Sequence, residues 1–516
     1  MIHYTSGYGG GAYNATLYNC ALIANAAFVG GGECTGNLYN CAVNGNSATS
    51  LGGGTFSAYM YNCIVYYNVA PSGANYASPT RVYYCCTLPA PANSASSTNN
   101  FETEPQLAGA FHLSAGSPCR SAGSASYASG TDIDGETWAT PPAIGCDGQN
   151  TGSTTGALSA SIQMAFTNIA PGFALDLTAW IDGRLTASRW EFDDGLVVSN
   201  RPYASRAWNA TGDYPVVLRA YNDSNPSGIT ATAIVHVVTQ PVRYVALNSP
   251  SPQAPYDSWA TAAANIQDAV DSAIVPGALV WVSNGVYATG GRVVAGALTN
   301  RLAVTCPVVV QSVNGPGVTV IQGNQVSGTT NGNSAARCVY LTNGAALIGF
   351  TLTNGATRAS GDAYVEESGG GVWCPWVSAI VSNCVLTGNS AYMYGGGAYN
   401  GTLNNCTIAG NFSRAYGGGI STAALTNCTL AGNTAGNGGG GAHNGLLSKS
   451  ILASNTASSS GGGAYGGTLT GSTLMANSAA SGGGAYQATL SGCMLTSNTG
   501  SSGKFSSESR CAIFQG

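Results

Sequence analysis

The chain has 516 residues, of which only 7% are charged and 73 are glycine, and its formal net charge is −5. That length holds several domains, and with lysine only at Lys449 and Lys504 there is no basic patch to neutralise phosphates, which excludes a nucleic-acid partner. No apolar run reaches the roughly 18 residues of a membrane-spanning helix, so no such span is expected.

From residue 1 to about residue 70 the chain repeats. Glycine triplets begin at Gly9, Gly30 and Gly52, cysteines follow at Cys20, Cys41 and Cys63, and asparagines at Asn25, Asn46 and Asn68. Self-similarity at this period signals a solenoid. The units lack the i, i+3, i+4 apolar pattern of a helix and read instead as short alternating strings separated by Gly and Asn, residues with access to positive φ. Three short strands and three turns per unit are expected, forming one coil of a right-handed parallel β-helix. Coils then stack at about 4.8 Å, the ordinary strand spacing. A leucine-rich horseshoe is the alternative, but its denser leucine pattern is absent. Met1-Ile2-His3-Tyr4 runs into the first triplet without a signal peptide. The chain is therefore expected to begin inside a repeat, as a fragment of a longer protein. Its composition favours an extracellular or cell-surface location over the cytosol.

Beyond Pro71 the period decays. The strings Phe111-His112-Leu113-Ser114-Ala115-Gly116-Ser117-Pro118-Cys119, Thr131-Asp132-Ile133-Asp134-Gly135 and Ile144-Gly145-Cys146-Asp147 resemble the C-terminal end of bacterial secreted β-helix proteins. Residues 1–148 are thus expected to be the last coils and end segment of one β-helix, the end segment covering exposed strand edges. Cys119 and Cys146 are the expected disulfide. Asp132 and Asp134 flank a turn in a weak calcium-loop-like string without the full EF-hand spacing, so an Asx turn is expected, with calcium the alternative; no other cofactor is expected.

Residues 149–157, rich in Gly, Ser, Thr and Asn, are expected to be a linker. Longer alternating strands follow over 158–240, as in Tyr214, Val216, Leu218 and Ala220, and predict a β-sandwich. Trp190-Glu191-Phe192-Asp193-Asp194-Gly195, with Gly212-Asp213-Tyr214-Pro215-Val216 downstream, resembles a PKD domain, an immunoglobulin-like module. Asp193 replaces the glycine of the usual Trp-x-Phe-Gly-Asp-Gly. The resemblance implies a spacer or interaction unit of surface proteins and secreted polysaccharide-active enzymes.

A second β-helix is expected over 241–516. Ser258 to Ala273 carries a helical stripe of Ala262, Ile266, Ala269, Val270 and Ala273. A strand, helix, strand opening resembles the N-terminal cap of pectate-lyase-like proteins. After an irregular loop over 357–368, the repeat runs to Asn498 with glycine triplets at Gly395, Gly417, Gly439, Gly461 and Gly482. Three structural ladders accompany them. Asn389, Asn411, Asn433, Asn455, Asn477 and Asn498 are expected to bond amide to amide along the axis. Leu386, Ile408, Leu430, Leu452, Leu474 and Leu495 are expected to fill the core. Cys384, Cys406, Cys428, Ser450, Ser472 and Cys493 share a slot; because serine substitutes freely there, small buried thiols packing as hydrophobes are expected rather than a disulfide framework. No CxxC or HxxxH spacing supports zinc. From Lys504 to Gly516 the pattern is expected to break.

Lyases and glycoside hydrolases of the pectate-lyase-like fold need carboxylates, to bind calcium or to act as acid and base. Between Glu367 and Glu508 there is none. The candidate catalytic cluster is therefore Arg358, Asp362, Glu366 and Glu367 in the irregular loop, with ordinary solvated charges as the bland alternative. His443 stands where other coils have Tyr399, Tyr465 or Tyr486, and is read as packing. If those tyrosines face outward they are binding candidates that stack on sugars; if inward, they are core. The string Gly-Gly-Gly-Ala-Tyr followed by Leu/Ile-x-x-Asn resembles the repeats of chlamydial polymorphic outer-membrane proteins, with Leu or Ile replacing their Phe. That resemblance implies a surface-displayed passenger adhering to a polysaccharide or to a host or neighbour-cell surface. The expected function is a non-catalytic adhesin or structural, carbohydrate-recognising scaffold. The alternative is a polysaccharide lyase or glycoside hydrolase with its site in loop 357–368 or in missing coils.

Overall fold

A computed structural model describes residues 7–148, 152–500 and 512–514. The chain forms two compact units, Met1–Thr239 and Gln240–Gly516. It is nearly all β, and both units contain a parallel β-helix.

In the second unit, sheets of ten, ten and nine strands run along the stack, parallel except where Arg292–Val293 pairs antiparallel at one edge, and a fourth parallel sheet of six strands joins them from Ser390 onward. One regular coil contains four strands, not three: Ala398–Tyr399, Thr402–Asn404, Thr407–Ala409 and Phe412–Ser413. The fourth strand was hidden because it is two residues long and directly follows the asparagine that closes the repeat. Each triplet has a local cause. Gly395 has φ +64°, and a Cβ on Gly396 would lie 2.3 Å from the Phe412 carbonyl oxygen and 2.5 Å from that of Gly418. Only glycine fits where two backbones approach so closely.

Each strand alternates inward and outward. Leu403 and Ile408, with their equivalents Leu425, Leu430, Leu447 and Leu452, are buried in one continuous core that also takes Ala398, Ile420 and Ala442. At the corner before the asparagine strand, Asn405 and Asn427 adopt positive φ and turn the chain sharply. The next slot holds the Cys/Ser ladder. It is a hydrogen-bond column as well as packing. The N–H of Cys406 donates to Cys428 Sγ (3.4 Å), that of Cys428 to Ser450 Oγ (3.2 Å), and that of Ser450 to Ser472 Oγ (3.1 Å). Sulfur and hydroxyl oxygen both accept there, which is why serine substitutes without penalty.

The asparagines form a second column. Asn411 Nδ2 donates to Asn433 Oδ1 at 3.0 Å and Asn433 Nδ2 to Asn455 Oδ1 at 2.9 Å, and each Nδ2 also reaches a backbone carbonyl, as Asn433 does at Ile408. In the first unit Asn25, Asn46 and Asn68 repeat the arrangement.

The stack opens with a short helix. It spans Ile266–Ser272 rather than Ser258–Ala273, because Asn265 caps it by accepting the N–H of Asp268, while Ala263 is drawn into extended pairing with Val245. Ile266, Ala269 and Val270 cover the first coil of the core. No helix among the described residues is long and apolar enough to cross a membrane, which says nothing of a β-barrel. Of the expected pattern break after Lys504, residues 501–511 and 515–516 lie outside the described residues. Ala512–Phe514 pairs with Met494–Thr496.

The first unit joins three elements. Its coils resemble those above. Ser97, Thr98 and Phe101 pair with the strand edges of the last coil at Val82, Tyr83 and Cys86, and the rest of the end segment leaves the stack. It packs along the side, where Leu107, Leu113, Cys119 and Ile144 meet the outward Ile64 and Cys86. The expected Cys119–Cys146 disulfide is absent: both thiols are buried and free. Each has another neighbour, because Cys119 lies beside Cys86 and Cys146 beside Cys41. The third element is a sandwich of a three-stranded and a five-stranded sheet around Trp190, Leu177, Leu218 and Val235. Trp190 donates its indole N–H to the Arg201 carbonyl. Of the expected linker, 149–151 lie outside the described residues; Thr154 and Gly156 are hydrogen-bonded to Asp223 and Ser224.

Candidate functional site

The strand Ala398–Tyr399 and its equivalents place one residue inward and the next on the outer face. In register along that sheet, the outer residues are Tyr340, Trp373, Tyr399, Ser421, His443, Tyr465 and Tyr486. Tyr399, Tyr465, Tyr486 and His443 thus belong to one outward column. The column is stacked on itself: Tyr340 and Trp373 lie 5.3 Å apart, Trp373 and Tyr399 6.3 Å at 8°, and Tyr465 and Tyr486 5.4 Å.

A second column stands beside it, one residue before each glycine triplet. Tyr394 and Tyr416 stack at 6.0 Å, and both lean across the small Ser421 to reach His443, at 5.7 and 5.0 Å. His443 accepts or donates at Nδ1 with Ser421 Oγ, 2.9 Å away. Burial in this aromatic nest holds its pKa down to about 4, so the ring is neutral at physiological pH. Tyr399 is buried under its neighbours, while Tyr465 and Tyr486 are half-buried. Tyr340 and Trp373 are buried as well, so what the strip offers to solvent comes from the half-buried Tyr394, Tyr416, Tyr465 and Tyr486.

The irregular loop heads this strip. Ala356 and Ser368 occupy the positions that Ser390 and Tyr394 hold one coil later, so the loop is an insertion at that corner. Tyr364 stacks on Tyr394 at 5.5 Å and 2°, and its carbonyl accepts the Trp373 indole N–H at 2.7 Å. The structure brings Arg358, Asp362, Glu366 and Glu367 together. Asp362 Oδ1 accepts the N–H groups of Tyr364 and Val365, both at 2.9 Å. Glu366 accepts the N–H of Ala297 (2.7 Å) and of Asp362 (3.0 Å) and pairs with Arg358 at 3.4 Å. Burial alone would raise the Glu366 pKa, but these N–H groups and the Arg358 and Arg337 charges hold it below its ordinary value. Glu367 goes the other way, raised by burial and then by the Glu366 and Asp362 charges.

Arg337, 2% exposed, completes the loop from beneath. It donates to the carbonyls of Val365, Ser368 and Gly369 and to Asn300 Oδ1, and its guanidinium sits 5.6 Å from the Trp373 ring centre.

Sequence reasoning missed Tyr394, Tyr416, Tyr364, Trp373, Tyr340 and Arg337. A signal for some existed: Gly369-Gly370-Gly371-Val372-Trp373 is a sixth copy of the triplet string, with Trp373 in the tyrosine slot. No protein-family model and no curated protein matches this chain. Among solved structures it is similar to the crystal structure of pectate lyase Pel9A, at 14% identity and a TM-score of 0.35, over 54% of this chain and 75% of that one.

Proposed function

We propose that the chain is a non-catalytic repeat protein of a bacterial surface or secretome, acting as an adhesin or carbohydrate-recognition scaffold through the half-buried tyrosines of the aromatic strip, Tyr394, Tyr416, Tyr465 and Tyr486. The observation that carries this reading is the group of half-buried tyrosines, Tyr394, Tyr416, Tyr465 and Tyr486, held on one side of successive coils by the buried aromatics stacked beside them. Amphipathic rings of this kind suit an extended, hydroxyl-rich polymer, and polysaccharide is the first candidate. The Trp190–Gly195 turn and its two-sheet surroundings support a PKD-like spacer in the same protein.

A second reading has one observation in its favour. Glu366 and Glu367 are adjacent carboxyls with pKa values pushed in opposite directions, the polarity used by acid–base pairs in glycoside cleavage. Against it, Asp362 Oδ1 is spent on backbone N–H groups of its own loop, and the Glu366 oxygens are spent on the N–H groups of Asp362 and of Ala297 from an earlier coil. A glycan array on the full chain, with Tyr416→Ser and Tyr465→Ser variants and a parallel assay for released products, separates the two. Binding that weakens in both variants, without products, supports recognition. Products that vanish in Glu367→Gln establish the enzyme instead, and neither binding nor products removes carbohydrate from the account.

A further inference from the structure

The unit Met1–Thr239 holds a cluster of ionisable groups that the strip does not involve. His112, Asp134 and Asp147 each offer one ligand atom, and all three atoms lie within 4.8 Å of one another. They line a small cavity of about 40 Å³ that opens to solvent and is flanked by Glu136 and Arg184.

This is more than an acidic patch, because an imidazole nitrogen is trapped in it. His112 is 6% exposed, and its Nε2 is sealed from water with no hydrogen-bond partner. The nearest charge is Asp134 Oδ2, 3.3 Å away. A buried imidazole nitrogen that meets one carboxylate oxygen at 3.3 Å without an aligned hydrogen bond is poorly satisfied, and a cation shared by all three groups satisfies it. The carboxylates are also held from behind, as metal ligands are. Asp147 Oδ2 accepts the Leu113 N–H at 2.6 Å. Asp132 Oδ1 accepts the N–H groups of Asp134 (3.0 Å) and Glu136 (2.7 Å), which fixes the loop that presents Asp134.

We propose that His112, Asp134 and Asp147 form a site for a first-row divalent ion, with zinc the best fit. One imidazole nitrogen and two carboxylate oxygens are a donor set zinc accepts, whereas calcium prefers six to eight oxygens. Donors at about 2.1 Å from a tetrahedral ion stand about 3.4 Å apart, so three atoms now within 4.8 Å of one another close on it by side-chain movements of about 1 Å. The fourth position faces the cavity. Arg184, 3.3 Å from Asp134 Oδ2, is the cation now competing for that oxygen, and it keeps Glu136 as a partner when the ion binds. The ligands are 22 and 13 residues apart, counted from 112 to 134 and from 134 to 147, so no short spacing motif announces them.

The test uses the full chain, stripped with a chelator and titrated with Co²⁺ and then Zn²⁺. The site predicts one equivalent of Co²⁺ with a ligand-field spectrum free of thiolate charge transfer, displaced by Zn²⁺. His112→Gln and Asp134→Asn should each weaken binding at least roughly tenfold with an unchanged far-UV circular dichroism spectrum. No saturable binding, a thiolate charge-transfer band from the many cysteines, or binding unaltered in both variants would each overturn the assignment.

Discussion

In the regular coils, a buried amide finds its partner one coil away. In loop 357–368 no neighbouring copy exists, and ionised side chains take its place. Asn433 needs no charge, since Asn411 and Asn455 present the same group at the same height on either side. The loop satisfies its backbone N–H groups with Asp362 and Glu366 and its carbonyls with Arg337. The regular stack therefore carries almost no charge because repetition removes the need for it, and the charges cluster where repetition stops. A concentration of carboxylates on such a scaffold is first a structural substitute, and only then a candidate for chemistry.

The comparison can be broken at its most charged point first. Arg337→Met leaves three backbone carbonyls and the Asn300 amide without a donor, at a cost of about 4 kcal/mol or more by urea unfolding. A loss below about 1 kcal/mol would mean that the loop does not depend on the buried cation. In the regular stack, Asn433→Ala removes the acceptor of the Asn411 backbone N–H, one of the two acceptors of its Nδ2 and the side-chain donor to the Ile408 carbonyl, and about 3 kcal/mol is expected. The same change at Asn498, where the column ends and is only partly buried, should cost about 1 kcal/mol; equal losses at both positions would deny that the column is cooperative.

Glu33 sharpens the contrast from inside the first unit. It is fully buried in the slot that holds Ala12 and Thr55 in the flanking coils, and neither carboxyl oxygen makes a well-aligned hydrogen bond, with the backbone of Gly36 and Ala15 as its nearest polar support. Burial raises its pKa from 4.5 to about 7. The folded state thus holds the proton more tightly than the unfolded chain. The stability tied to it is complete below about pH 4.5 and is lost as pH rises through about 7. Unfolding free energy should fall by about 2 kcal/mol between pH 5 and pH 8, and Glu33→Gln should flatten that fall.

His443 has the opposite sign and a smaller effect. Its pKa is lowered from 6.5 to about 4, so its contribution is present above 6.5 and is lost as pH falls toward 4. His443→Tyr should remove about 1 kcal/mol of acid sensitivity, discounted for its partial exposure. An unchanged acid limb would place the titrating group elsewhere.

Much of the stack was legible because its cause is local and repeated. The glycine triplets, the Leu/Ile positions and the asparagine column all follow from one coil's constraints copied upward. The fourth strand was not legible, since two residues cannot establish a period. The second aromatic column was missed because Tyr394 and Tyr416 become Gly438, Ser460 and Ser481 in later coils, which dilutes the signal. The loop's role was illegible for another reason: Arg337 and Ala297 reach it from earlier coils, and only the fold brings them there. His112, Asp134 and Asp147 converge in the same non-local way.

The most direct test of the account joins stability to activity in one pair of variants. Asp362→Asn and Glu366→Gln are unfolded in urea and, in parallel, incubated with acidic polysaccharides while products are followed. If these carboxylates substitute for a missing neighbour, each change lowers stability by about 1–2 kcal/mol, and neither the parent nor the variants release product. A parent that cleaves, with variants that stay equally stable and do not, would contradict the account and make the loop an active site.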